Sequence, residues 1–138
     1  EFEDRIIDAT AMLLVLDPYR FDVLVMENMF GDIISDEMAG LVGGLGFAPA
    51  GNIGTGGAMF EAVHGSAPDI AGRGIANPTA LLLSACMLLD HVQQPATAGR
   101  IRLALDTVVR ERSLRTPDMG GRASTAQFTN AIVAALAP

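Results

Sequence analysis

Two aspartates, Asp32 and Asp36, stand four residues apart in the apolar segment NMFGDIISDE. On a helix they would project from one face, where two like charges cost roughly 0.2–0.5 kcal/mol. Two converging carboxylates with no neighbouring base suit a hard divalent cation, Mg²⁺ or Mn²⁺, whose other positions go to water or substrate oxygens. A solvated acidic face is the competing reading, and an acid near a helix start also suits the helix dipole. Asp8, a lone acid on another apolar helix, reads by itself as surface. The second stretch with chemical potential is EAVHGSAPDIAGRGIANP, residues 61–78. Its small residues would let a ligand approach the backbone closely, and His64, Asp69 and Asn77 offer polar contacts. An acid beside a nucleotide loop can take both ribose hydroxyls and would repel a 2′-phosphate. The chain has no GxGxxG fingerprint, and an ordinary surface Ω-loop competes with the ligand-loop reading.

The elements that must position these residues follow from hydrophobic periodicity. FEDRIIDATAMLLVL (2–16) predicts a helix, stopped by Asp17-Pro18. FDVLVM (21–26) has the continuous apolar pattern of a buried parallel strand. GDIISDEMAGLVGGLG predicts a helix that Gly43, Gly44 and Gly46 end, followed by a loop over FAPAGNIGTGG and a strand over AMFEAV. The glycine- and proline-dense loop leads into PTALLLSACMLLDHV, a helix with Asn77 as N-cap and Pro78 at its first position. Being apolar nearly all round, this helix is expected to be deeply buried. ATAGRIRLALDTVVRER predicts an amphipathic helix, and STAQFTNAIVAAL a last one, capped by Ser124 or Thr125. Interleaved strands and helices make the class α/β. So few strands would leave a parallel sheet exposed, as if part of the fold lay elsewhere.

Composition narrows the partners. The 138 residues suffice for one ordinary domain, and half of them are hydrophobic. A net charge of -7 disfavours nucleic acid and anionic membrane. The longest apolar stretch, ALLLSACMLL, is too short to span a bilayer, and no signal peptide is visible. All nine basic residues are arginine, so a lysine amine must come from elsewhere. The one cysteine, Cys86, lies in an apolar run and reads as packing. With no internal disulfide possible, a reducing compartment fits. The chain starts at Glu1, as a fragment or processed product would.

Taken in order and spacing, ENMFGDIISDE followed by FEAVHGSAPDIAGRGIANPTALLLSA resembles the metal-dependent β-decarboxylating dehydrogenases, the isocitrate/isopropylmalate dehydrogenase family. The closing TPDMGGRASTAQF fits as well, so the resemblance covers nearly the whole chain. It implies that Asp32 and Asp36 ligate Mg²⁺ or Mn²⁺, and that Asp8 matches a catalytic-site aspartate supplied to the same metal by a partner subunit. Cation binding would then offset the Asp32–Asp36 repulsion. It also implies that Glu61 lies near the nicotinamide, that His64 with Gly65, Ser66, Ala67 and Pro68 lines the adenine side, and that Asn77 contacts adenine. Asp69 matches the acid that selects NAD over NADP; NADP-dependent relatives tend to carry Lys-Tyr where this chain has Asp69-Ile70. The implied reaction is metal-assisted hydride loss from a small 2-hydroxy acid to NAD, then decarboxylation and protonation.

The family uses a tyrosine and a lysine for the proton steps. Neither is matched: there is no lysine, and Tyr19, the only tyrosine, sits in the DPYRF turn. The arginine cluster that binds substrate carboxylates is also unmatched. The chain therefore resembles a C-terminal portion: residues 1–42 would finish the small dimerisation and metal-binding domain, and 43–138 would form the second half of the large NAD-binding domain. Alone it is expected to be inactive. The expected assembly is a homodimer or related oligomer with a shared active site.

The wording AGLVGGLGFAPAGNIG and ANPTALLLSACMLL is most similar to NAD-type isocitrate dehydrogenase. Isopropylmalate enzymes more often show PGSLG, SAS and EPVHG, yet they share HGSAPDIAG. Isopropylmalate, homoisocitrate and tartrate thus stay open as substrates. A non-catalytic, nucleotide-binding regulatory subunit and an inactive fragment are the readings from another class; three acids at 8, 32 and 36 favour a catalytic parent. Cytoplasm is the default location, or the mitochondrial matrix in a eukaryote.

Overall fold

The computed structural model describes residues 2–137. It divides into two compact units, Glu1–Gly44 and Leu45–Pro138.

In the first unit, α1 (Ile7–Leu16) packs against α2 (Asn28–Leu41). Thr10 and Leu14 are the buried positions of α1, one turn apart, and the Thr10 hydroxyl donates back to the Ile6 carbonyl at 3.0 Å. Asp17-Pro18 ends α1 as expected, because proline lacks the amide the next turn needs. Ile34 and Ala39 are the buried positions of α2, and its last turn runs into Gly43 and Gly44, both at positive φ.

The parallel strand expected over 21–26 does not form. That segment is extended, but no strand among the described residues lies beside it to take its backbone hydrogen bonds. Val23 and Val25 stand 77% and 90% exposed. An apolar run needs a pairing partner to become a strand, and periodicity cannot report whether one is present.

The second unit opens with an antiparallel hairpin, β1 (Pro49–Ile53) and β2 (Ala58–Ala62), with Gly51 opposite Phe60. β1 falls where a loop was expected. PAGNI is poor in strand-forming residues, but the GTGG connection, closed by a Gly54 N–H to Gly57 carbonyl bond of 2.9 Å, folds it back onto AMFEA. The sheet is thus antiparallel, in a mixed helix-and-strand fold.

Helix α3 (Thr79–His91) crosses the hairpin. The Ser84 hydroxyl, fully buried, donates to the Glu61 carbonyl on β2 at 2.6 Å and ties helix to sheet. Contrary to expectation α3 is not buried all round: Ala80, Ser84 and Cys86 are inside, but Leu81 is 60% exposed. The small residues admit close approach of the hairpin on one side and of α4 (Pro95–Arg110) on the next; nothing in the described unit covers the remaining side. Burial pushes the Cys86 thiol up, against a smaller opposing pull from Arg102, as suits a packing residue.

The main core lies between α4 and α5 (Thr125–Leu136), where Ala104, Leu105 and Val108 meet Phe128 and Ile132. The start of α5 is a reciprocal capping box: Ser124 Oγ accepts from the Gln127 N–H at 3.1 Å and Gln127 Oε1 accepts from the Ser124 N–H at 2.8 Å. Ser124→Ala is expected to lower unfolding free energy by about 1 kcal/mol, read as a drop in Tm; an unchanged Tm would show that the box contributes nothing.

Candidate functional site

The glycine- and proline-dense segment leaves β2 at Val63, whose N–H donates to the Ala48 carbonyl at 3.1 Å. His64 Nδ1 lies 2.9 Å from the Gly65 carbonyl oxygen. Ala67 then takes a left-handed conformation, φ 43° and ψ 63°, and starts the short 3-10 turn Pro68–Ile70. A non-glycine residue in that region costs on the order of 1–3 kcal/mol and marks a backbone held by its surroundings. The far end of the segment is held by α5: the Thr125 N–H donates to the Gly74 carbonyl at 2.8 Å, and its hydroxyl to the Ala76 carbonyl at 2.5 Å.

Between these anchors lies a cleft of about 680 Å³, within the size range of small-molecule sites. His64, Gly65, Ser66, Ala67, Ile70 and Asn77 line it. A Cβ on Gly65 would meet no protein atom within 4 Å. Apolar Leu45, Ile75 and Pro117 form much of the remaining wall. Pro68 and Asp69 sit in the same loop, but their side chains are exposed outside the lining, and Glu61 lies on β2, where its Oε1 accepts from Asn52 Nδ2 at 3.2 Å. The small apolar wall with a few polar groups can take a small organic ligand.

The cleft also contains residues that sequence reasoning passed over. Gly46, Pro117 and Asp118 line it from segments far along the chain. In the sequence TPDMGG stands only as part of a matching motif. Its proline, acid and paired glycines were a turn signal, but nothing in the order of residues shows that this turn faces position 77.

Asp32 and Asp36 are exposed on one face of α2. Asp32 Oδ2 accepts from Asn28 Nδ2 at 3.1 Å. Asp8, exposed in the first turn of α1, accepts the Ala9 N–H at 2.6 Å through Oδ1. No arginine pairs with any of the three among the described residues. Nor does any group of three histidine, cysteine or acidic side chains converge there to hold a metal. An all-oxygen pair with unneutralised charge fits Mg²⁺ or Mn²⁺, which bind through one or two carboxylates and complete their shell from water and substrate. Tyr19 is 96% exposed in its turn. No helix among the described residues is long and apolar enough to cross a membrane.

The family model for isocitrate/isopropylmalate dehydrogenase matches residues 1–132. The chain is 60% identical over 134 residues to the isocitrate/homoisocitrate dehydrogenase of Thermus thermophilus, covering 97% of this chain and 40% of that protein. It is 52% identical over 136 residues to a probable mitochondrial NAD isocitrate dehydrogenase alpha subunit of Drosophila melanogaster, covering 99% and 36%. The fold superposes on the crystal structure of an isocitrate dehydrogenase from Methylococcus capsulatus with a TM-score of 0.94 at 53% identity, covering 99% and 41%. Names among the matches also include 3-isopropylmalate dehydrogenase. The chain thus spans about 40% of the length of the Thermus relative.

Proposed function

Because the chain belongs to the isocitrate/isopropylmalate dehydrogenase family, we propose that it is the C-terminal portion of an NAD-dependent, metal-dependent dehydrogenase that oxidatively decarboxylates isocitrate to 2-oxoglutarate. In this reading residues 1–42 complete the small dimerisation domain and 43–138 supply the second half of the cofactor domain. The tyrosine, lysine and arginines of the proton and substrate chemistry belong to the rest of the protein, so the chain alone is inactive.

The observation that supports this reading most is the cleft. It gathers His64, Gly65, Ser66, Ala67, Ile70 and Asn77 around one space of dinucleotide-half size. Asp69, exposed in the same loop, would accept hydrogen bonds from ribose hydroxyls and repel a 2′-phosphate. Asp32 and Asp36 would hold Mg²⁺ or Mn²⁺ with Asp8 of a second subunit, and their carboxylates would orient the metal toward the substrate. The metal supplies Lewis-acid polarisation of the substrate hydroxyl and carboxylate oxygens when bound. NAD supplies the hydride acceptor.

The test is to express the complete protein and follow NADH formation with Mn²⁺. We expect turnover with isocitrate, and a kcat/KM at least about tenfold higher with NAD than with NADP, the size of one charge contact. Turnover with 3-isopropylmalate alone would favour the second reading, to which the shared HGSAPDIAG wording and the isopropylmalate relative point. No turnover with either acid would sink the proposal.

A further inference from the structure

The cleft carries an acid that the reading above does not use. Asp118 lines it, beside a space proposed for an anionic dinucleotide, and pairs with no arginine among the described residues. A free carboxylate there would repel the ligand. Both of its oxygens, however, are already engaged within the protein. Oδ1 accepts from the Thr116 hydroxyl at 2.5 Å, and Thr116 is fully buried. Oδ2 accepts from Asn77 Nδ2 at 2.9 Å.

A primary amide has two orientations that fill the same space and exchange donor for acceptor. Asn77, only 9% exposed, is held in one of them from both ends. The Thr79 N–H donates to Asn77 Oδ1 at 3.0 Å, so the carbonyl faces the start of α3. An ionised carboxylate only accepts, so Asp118 admits only the NH₂ side. Gly46 closes over the pair: a Cβ there would come within 3.2 Å of Asp118 Oδ2 and 3.3 Å of Asn77 Nδ2. Three segments distant in sequence thus converge on one amide.

We propose that Asp118 is a positioning residue for the cofactor cleft: held by Thr116, its carboxylate fixes the orientation of the Asn77 amide, so that Asn77 meets the ligand as a hydrogen-bond donor. This role rests on the cleft being the NAD site. Without the carboxylate the amide loses one of its two restraints, and part of the population turns its carbonyl where a donor is needed.

The experiment is steady-state kinetics on the complete enzyme with varied NAD. Asp118→Ala raises the KM for NAD about tenfold, the factor expected from one hydrogen bond to a charged group, with kcat changed less than about twofold. Asp118→Asn restores most of the affinity. The introduced amide can offer its carbonyl to Asn77 and its NH₂ to the Thr116 oxygen, keeping the brace without the charge. Thr116→Val, which keeps the buried shape but releases Asp118, raises KM about threefold as the loss of a weaker bond. It serves in place of Asp118→Ala should that variant fail to fold. In the Asn77→Ala background Asp118→Ala has no further effect, since its route is through that amide.

Wild-type turnover with unchanged KM in Asp118→Ala overturns this role alone. So does an Asp118→Asn variant as impaired as Asp118→Ala, or additive effects in the double variant. A wild-type enzyme without NAD-dependent turnover overturns the functional reading and this role with it.

Discussion

Asp32→Asn in the complete enzyme is expected to lower kcat/KM by about a thousandfold, the loss of several kcal/mol of metal-borne charge stabilisation. The Mn²⁺ concentration for half-maximal activity should rise with it. The substitution keeps the side-chain shape and can still accept the hydrogen bond from Asn28. It removes one of two like charges on adjacent turns of α2 and leaves no arginine unpaired, because none among the described residues pairs with Asp32. The fold should therefore become slightly more stable, by about 0.2–0.5 kcal/mol. Activity and stability moving in opposite directions separates a metal ligand from a solvated surface acid. Unaltered Mn²⁺ dependence in this variant would return Asp32 to the second class.

Gly121→Ala is expected to cost at least about 3 kcal/mol, at or beyond the upper end of ordinary overpacking. A Cβ on Gly121 would sit 2.0 Å from the Arg115 carbonyl oxygen and 2.5 Å from its carbon. These are backbone atoms and cannot rotate away. The turn they belong to is tightly tied: the Thr116 carbonyl accepts from the N–H groups of both Met119 and Gly121, and the Ala123 N–H donates to the Arg115 carbonyl at 2.9 Å. Urea unfolding should show a lower midpoint with an unchanged slope. Gly120 is the control. Its φ of 76° disfavours alanine, but a Cβ there meets nothing within 4 Å, so its replacement should cost only about 1–2 kcal/mol. Equal losses at the two positions would mean that close approach is not what Gly121 provides.

What could be read from residue order was local. The stop at Asp17-Pro18, the glycines after α2 and the Ser124 cap depend on groups within a few residues of one another, and each appears where periodicity and end signals place it. The start of α3 is misplaced by one residue: the N-cap is Pro78, with no side-chain cap bond, and the helix begins at Thr79, while Asn77 stands one residue earlier and accepts the Thr79 N–H in a local turn. What failed was what depends on distant partners. FDVLVM has the composition of a strand but no partner beside it among the described residues; PAGNI has little of that composition and pairs because the GTGG turn places AMFEA alongside. Periodicity overstates the burial of α3 for the same reason: Leu81 stays exposed because no neighbour in the described unit covers it. In the candidate site, the loop 64–77 announced itself through its glycines. Asp118 did not, because its role depends on a neighbour 41 residues away.

The tie between Thr125 and the carbonyls of Gly74 and Ala76 bears on how the molecule is assembled in time. The hydroxyl contact spans 49 residues, and a closure of that length must spend chain entropy before any contact rewards it. The hairpin and α3 are neighbours along the chain and can meet before α5 docks. The loop beside them meanwhile lacks the partners that hold its last turn. The cleft is thus completed only when α5 docks, and the binding segment takes its final shape after the hairpin and α3 have met.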